Sequence, residues 1–101
     1  MAKKQGVAVA DFRTLADQFN MLGEETRLTI VFQLARQERN VGTLCKILKV
    51  NQPMMSYHLG LMKMVGLLLT RREGKEVIYS LNAEALRGLM GQLDSLARGK
   101  K

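Results

Sequence analysis

The feature that most constrains this chain is the stretch from Asn51 to Gly66, in which Asn51-Gln52-Pro53 runs into MMSYHLGLMKMVG. Plotted at ~100° per residue, as a helix would place them, its residues divide between two faces. Gln52, Pro53, Ser56, Tyr57, Gly60 and Lys63 fall on one side; Met54, Met55, His58, Leu59, Leu61, Met62 and Val65 fall on the other. Both ends are marked. Asn51 offers a side-chain oxygen to an orphan backbone N–H, and Pro53 is tolerated in a first turn, where no intrahelical donor is lost. Gly66 supplies the left-handed residue that commonly stops a helix. One face is apolar enough to seat the helix on a core. The other carries short hydrogen-bonding groups, an aromatic hydroxyl and a cation, a set suited to a polar groove. The pattern reads as a recognition helix.

The flanking chain supports that reading. Apolar residues recur at helical spacing from Asp11 through Phe12, Leu15, Ala16, Phe19 and Leu22, giving a first helix that Gly23 stops. A second helix follows, with Glu24 and Glu25 at the positive end of its dipole and a core face of Leu28, Ile30, Val31, Leu34 and Ala35. Arg36 to Gly42 reads as a connection, and Thr43 as the cap of a short third helix bearing Leu44, Ile47 and Leu48. Only Lys49, Val50 and Asn51 separate that helix from the next, the arrangement of a helix-turn-helix. Leu67–Arg72 and Glu76–Leu81 then read as two strands, with Glu73-Gly74 as their hairpin turn. Asn82 caps a last helix carrying Leu86, Leu89, Met90, Leu93, Leu96 and Ala97. Residues 1–10 read as a flexible basic tail and residues 11–98 as one domain, mainly α with a small β-hairpin, in the order α-α-α-α-β-β-α.

At 101 residues a single core gives modest stability, and a small domain with unburied helix faces often completes its core by dimerising. Phe12, Leu15 and Phe19 of the first helix and Leu86, Leu89, Met90, Leu93 and Leu96 of the last are the expected interface. Gly88 and Gly91 would allow close backbone approach. Lys and Arg number 16 against 9 Asp and Glu, a net charge of +7, which favours a polyanionic partner, nucleic acid ahead of a membrane surface. The lone Cys45 forms no intrachain disulfide and suits a reducing cytoplasm. The apolar runs are too short for a signal-peptide core or a membrane span, so a cytoplasmic location is expected.

Residues 20–82 resemble the ArsR/SmtB family of winged-helix repressors. The matching pieces are LGEETRLTIVFQL, TLCKILKVNQPMMSYHLGLMKMVGLL and TRREGKEVIYSLN. Within them Thr26-Arg27-Leu28 matches the family's second helix and Ser56-Tyr57-His58-Leu59 its Ser-x-His-Leu signature. Gly66-Leu67 leads into the Arg-rich wing, Arg71-Arg72-Glu73-Gly74. The resemblance implies a winged helix-turn-helix and a homodimeric operator-binding repressor released by an effector. Many members hold metal through Cys-x-Cys at the start of the third helix, where this chain has Asn40 and Gly42. Others use Asp and His pairs on the last helix, where this chain has Glu84 and Asp94 but no histidine. Soft and borderline metals need several N or S ligands, so no metal or other cofactor is expected and the effector is left open.

Gln52, Pro53, Met54, Ser56, Tyr57, His58, Gly60 and Lys63 are the candidate DNA contacts of the recognition helix. An amide pairs bidentately with adenine in the major groove, and hydroxyls meet base edges or phosphates. The plain alternative is a solvated face. Met54 fits a thymine methyl or a packing contact, and His58 fits a phosphate contact or a packed core position. Arg71, Arg72 and Lys75 at the wing are suited to phosphates or the minor groove, or to keeping a hairpin soluble. Thr43 and Lys46 reach toward the backbone from the third helix. Cys45 reads as a small buried hydrophobe, a redox role needing an exposed thiolate.

The function expected is sequence-specific binding of double-stranded DNA at an inverted repeat, as a dimer. The alternative is a winged helix that docks protein through Met54, Leu61 and Met64 and does not bind DNA. No enzyme is expected: no histidine sits beside a nucleophile, and there is no carboxylate pair or phosphate-cradling loop.

Overall fold

In a computed structural model that describes residues 9–99, with side chains from Phe12 onward, the chain forms five helices and a three-stranded antiparallel sheet. The order is α1 (Val9–Leu22), α2 (Glu25–Arg36), β1 (Arg39–Asn40), α3 (Val41–Leu48), α4 (Gln52–Met64), β2 (Leu68–Glu73), β3 (Glu76–Leu81) and α5 (Ala83–Ala97). Helix α1 starts at Val9, two positions inside the expected tail; the rest of that tail, residues 1–8, lies outside the described residues.

Side chains that accept first-turn N–H groups set where the later helices begin. Glu24 accepts from the Arg27 N–H at 2.9 Å, Asn40 from Thr43 at 2.8 Å, Asn51 from Met54 at 2.9 Å and Asn82 from Ala85 at 3.2 Å. The expected cap at Thr43 is thus corrected to Asn40, and α3 begins three residues earlier. The connection before it also holds β1, whose Arg39 and Asn40 pair with Tyr79 and Ile78 of β3.

Two turns bracket α4. Before it, α3 ends with Lys49 in the left-handed region (φ 57°, ψ 45°), and the N–H groups of Lys49 and Val50 both reach the Cys45 carbonyl. After it, Gly66 takes φ +85°, with Gly66 N–H donating to Lys63 O and Leu67 N–H to Met62 O, the paired bonds of a Schellman motif. The wing runs from Leu68 to Leu81, and its register opposes Glu73 to Glu76. The two-residue turn is therefore Gly74-Lys75 rather than Glu73-Gly74, with the positive φ on Gly74.

The core is built from Ile30, Val31 and Leu34 of α2, Leu44 of α3, Met55, Leu59 and Met62 of α4, and Leu68 of β2. Burying each such side chain is worth about 1.5–3 kcal/mol. On α2 the buried strip is narrower than its sequence pattern. Leu28 and Ala35 lie roughly a quarter-turn or more from the centre of the strip formed by Ile30, Leu34 and Val31, and with Phe32 they face outward instead of into the core.

Helix α5 is the least covered element. Leu89 is buried and Leu86 packs on the core, but every residue from Met90 to Gly99 is exposed. The radius of gyration, 15.3 Å, exceeds the ~13 Å of a compact domain of this length.

Candidate nucleic-acid interface

Helix α4 is seated by Met55, Leu59 and Met62, spaced to fall on one side and each fully buried. That seating turns Gln52, Pro53, Ser56, Tyr57, Gly60 and Lys63 outward, and all six are exposed. The tilted Tyr57 ring lies 5.9 Å from the His58 ring, centroid to centroid, and leaves the Tyr57 side chain on the surface. Among the described residues, nothing lies within 4 Å of where a Cβ would stand at Gly60. Its own packing therefore gives no reason for a residue that costs a helix ~1 kcal/mol; the bare patch opens only outward. Met54 stands half-exposed beside this face, so it is available to a groove and is not part of the core.

Of the two readings of His58, phosphate contact and packed core position, the structure takes the packed one. His58 is 7% exposed, and its Nδ1 lies 3.4 Å from Arg27 Nη1. A guanidinium only donates, so Nδ1 is the acceptor in this long contact. Arg27 also donates from Nε to the Met21 carbonyl at 2.8 Å, and its backbone N–H is held by Glu24. That backbone bond holds the Glu24 carboxyl below the usual range. Arg27 thereby ties the end of α1, the start of α2 and the middle of α4 together, a role the Thr-Arg-Leu pattern alone did not reveal.

The wing charges divide. Arg71 Nε meets Glu38 Oε1 at 3.0 Å and its Nη1 meets Glu73 Oε2 at 3.4 Å. The hydrogen bond to Arg71 lowers the Glu38 pKa, and the one to Glu38 raises that of Arg71. Arg71 is thus paired within the chain, which sets it apart from the other two cations expected at the wing. Arg72 and Lys75 are exposed and join no ion pair among the described residues, and the same holds for Lys46 and Lys63. Thr43 is half-buried in the first turn of α3. Lys49, exposed in the turn that leads into α4, is a cation that sequence reasoning passed over.

Of the expected dimer residues, Phe12 is 57% exposed and Leu96 71%, Met90 and Leu93 are exposed, and Leu15, Phe19 and Leu86 are half-buried. Leu89 is corrected: at 1% exposure it belongs to the subunit's own interior. Gly88 and Gly91 border open space.

Residues Glu24 to Leu68 match the model of the family described as bacterial regulatory protein, arsR family. The chain is 46% identical over 65 residues to the arsenical resistance operon repressor of Escherichia coli, covering 63% of this chain and 56% of that one. It is 30% identical over 96 residues to the transcriptional activator HlyU of Vibrio cholerae, covering 95% of this chain and 82% of the relative. The chain belongs to the arsR family. Among solved structures, the homodimeric winged helix-turn-helix DNA-binding domain of Mb0332 from Mycobacterium bovis superposes with a TM-score of 0.76 at 28% identity. The match covers 97% of this chain and 91% of that one. The fold is a winged helix-turn-helix. The chain spans 56% of the Escherichia coli repressor and 44% of the Mycobacterium tuberculosis repressor SmtB.

The two places where the arsR resemblance would put metal ligands do not fit a metal. At the start of α3, Asn40 is already used on both sides: its Oδ1 caps Thr43 and its Nδ2 donates to Glu76 at 3.1 Å; Gly42 has no donor atom. On α5, Asp94 is paired with Arg98 at 2.6 Å, and the helix carries no histidine.

Proposed function

We propose that this arsR-family chain is a dimeric transcriptional regulator that reads an inverted repeat through α4. The observation that carries this reading is the division of that helix. Three core side chains fix it from behind, while Gln52, Ser56, Tyr57 and Lys63 stand free in front with Gly60 bare between them. Gln52, with Ser56 and Tyr57, meets base edges, and Met54 lies where a thymine methyl would pass. Lys46, Lys49, Lys63, Arg72 and Lys75 neutralise phosphates. Two such helices in a dimer formed through α1 and α5 would enter successive major grooves about 34 Å apart. The exposed second half of α5 supports that dimer.

Residues 11–98 act as the DNA-binding unit, in the cytoplasm, where the DNA is; no helix among the described residues is long and apolar enough to cross a membrane. The family's function here is binding, and no reaction is proposed. Repression is the output proposed, by analogy with the Escherichia coli relative. A protein-docking role through Met54, Leu61 and Met64 is not favoured, because half-buried Leu61 breaks the patch.

The test is fluorescence anisotropy with a random-sequence duplex between about 50 and 200 mM salt, with sedimentation to read the oligomeric state. Each phosphate contact should steepen the plot of log affinity against log salt by about 0.9. No binding at the lowest salt, or a monomer at the assay concentration, would overturn the proposal.

A further inference from the structure

Three consecutive carbonyls follow the last turn of α4, those of Val65, Gly66 and Leu67. Each accepts a hydrogen bond from α1 or from the cap of α5. Gln18 Nε2 donates to Val65 O at 2.8 Å, across 47 positions of sequence. Asn82 Nδ2 donates to Gly66 O at 2.9 Å, and the Asn82 backbone N–H donates to Leu67 O at 2.8 Å. The turn's own N–H groups point back into α4 to complete the Schellman motif, so its carbonyls are the groups left to bond outward.

The amide at position 18 is not needed to fill space. Gln18 is 8% exposed on a helix whose inner side is otherwise apolar, and a buried amide is costly unless it is bonded. Asn82 does two jobs at once, capping α5 with its oxygen and holding Gly66 with its nitrogen. Apolar packing decides which side of α4 faces inward, but it is non-directional and resists small rotations and slides weakly. Hydrogen bonds under 3 Å to three successive carbonyls are directional and fix the end of the helix. The two elements that supply them, α1 and α5, also carry the exposed apolar surface for a second copy.

We infer that Gln18 and Asn82 are positioning residues that carry the placement of α1 and α5 in the dimer to the angle of α4 on DNA. The inference rests on the DNA-binding reading above. It assigns these residues to the spacing of the two half-sites, not to base or phosphate contact.

The test begins by selecting duplexes from a random library with the full wild-type chain. Affinity is then measured for the enriched inverted repeat and for the same duplex with one base pair inserted at its centre. Wild type should discriminate against the insertion on the order of tenfold. Gln18→Met and Asn82→Ser, the second keeping a capping oxygen, should each shrink that ratio by roughly three- to tenfold while leaving the salt slope unchanged. Circular dichroism and sedimentation confirm that the variants are folded dimers. An undiminished ratio in a folded, dimeric variant overturns the inference. Should Gln18→Met fail to fold, Asn82→Ser decides by the same measurement. A wild-type chain that enriches no duplex defeats the DNA-binding reading itself, and this inference with it.

Discussion

Replacing Lys49 with glycine should make the protein more stable and its hold on DNA weaker. Lys49 occupies the left-handed region at φ 57°, ψ 45°, in the turn between α3 and α4. That region costs an L-residue about 1–2 kcal/mol through contact of Cβ with the carbonyl that follows. Glycine removes this cost but gives up more freedom on folding, about 0.5–1 kcal/mol. At the middle of these two ranges the net gain is ~0.75 kcal/mol, which raises the melting temperature of a domain this size by roughly 3–6 °C. The same change removes one exposed cation, and the salt slope should flatten by about 0.9 if Lys49 meets a phosphate. Lys49→Ala separates the two effects: it loses the charge but keeps the strained backbone. Thermal melts at one fixed protein concentration and anisotropy across a salt series give both readings. If Lys49→Gly melts no higher than Lys49→Ala, the backbone at 49 is not strained and the stability argument is wrong. If neither variant changes the slope, Lys49 does not touch the duplex.

Glu38→Gln should release Arg71 to the wing, so binding to duplex DNA tightens and its salt dependence steepens; an unchanged titration would show that Arg71 stays off the DNA. Leu59→Ala, at a fully buried position of α4, should cost about 2–5 kcal/mol in urea denaturation, and a loss under 1 kcal/mol would mean the core closes over the gap. The carboxyls of Glu24 and Glu38 titrate below their ordinary 4.5 in the folded chain. Their contribution to stability is therefore complete above the unfolded pKa and is lost as pH falls through the lower folded one. Melting temperature followed downward from pH 6 should drop less in Glu38→Gln than in wild type, and parallel curves would contradict the Arg71 pairing.

Helix α4 was legible almost residue by residue, because Asn51, Pro53 and Gly66 punctuate it and its apolar positions keep one period. The misreadings have distinct physical sources. Strand β1 is two residues long, too short for any alternation, and exists only because β3 lies beside it. Asn40 lies in a polar stretch that reads as a connection, so the pattern puts the cap of α3 at Thr43, the next residue with a side-chain oxygen. Leu28 and Ala35 are apolar but lie off the buried strip, which the sequence period does not resolve when a helix has apolar residues on two sides. His58 sat among apolar neighbours on the helical wheel, and the structure chose the interior reading. The pairing of Arg71 with Glu38 joins residues 33 positions apart, and local pattern carries no trace of it. The left-handed turn at Lys49 was equally silent, since that conformation is ordinarily signalled by glycine or asparagine.

The bare outer half of α5 has a quantitative consequence. If a second copy covers it, the competent species is assembled from two chains, and its amount at low abundance grows with the square of the number of chains in the cell. Occupancy of a target would then turn on over a narrower range of expression than a monomer allows. A cell could adjust that threshold by changing how much of the protein it makes, with no small molecule involved.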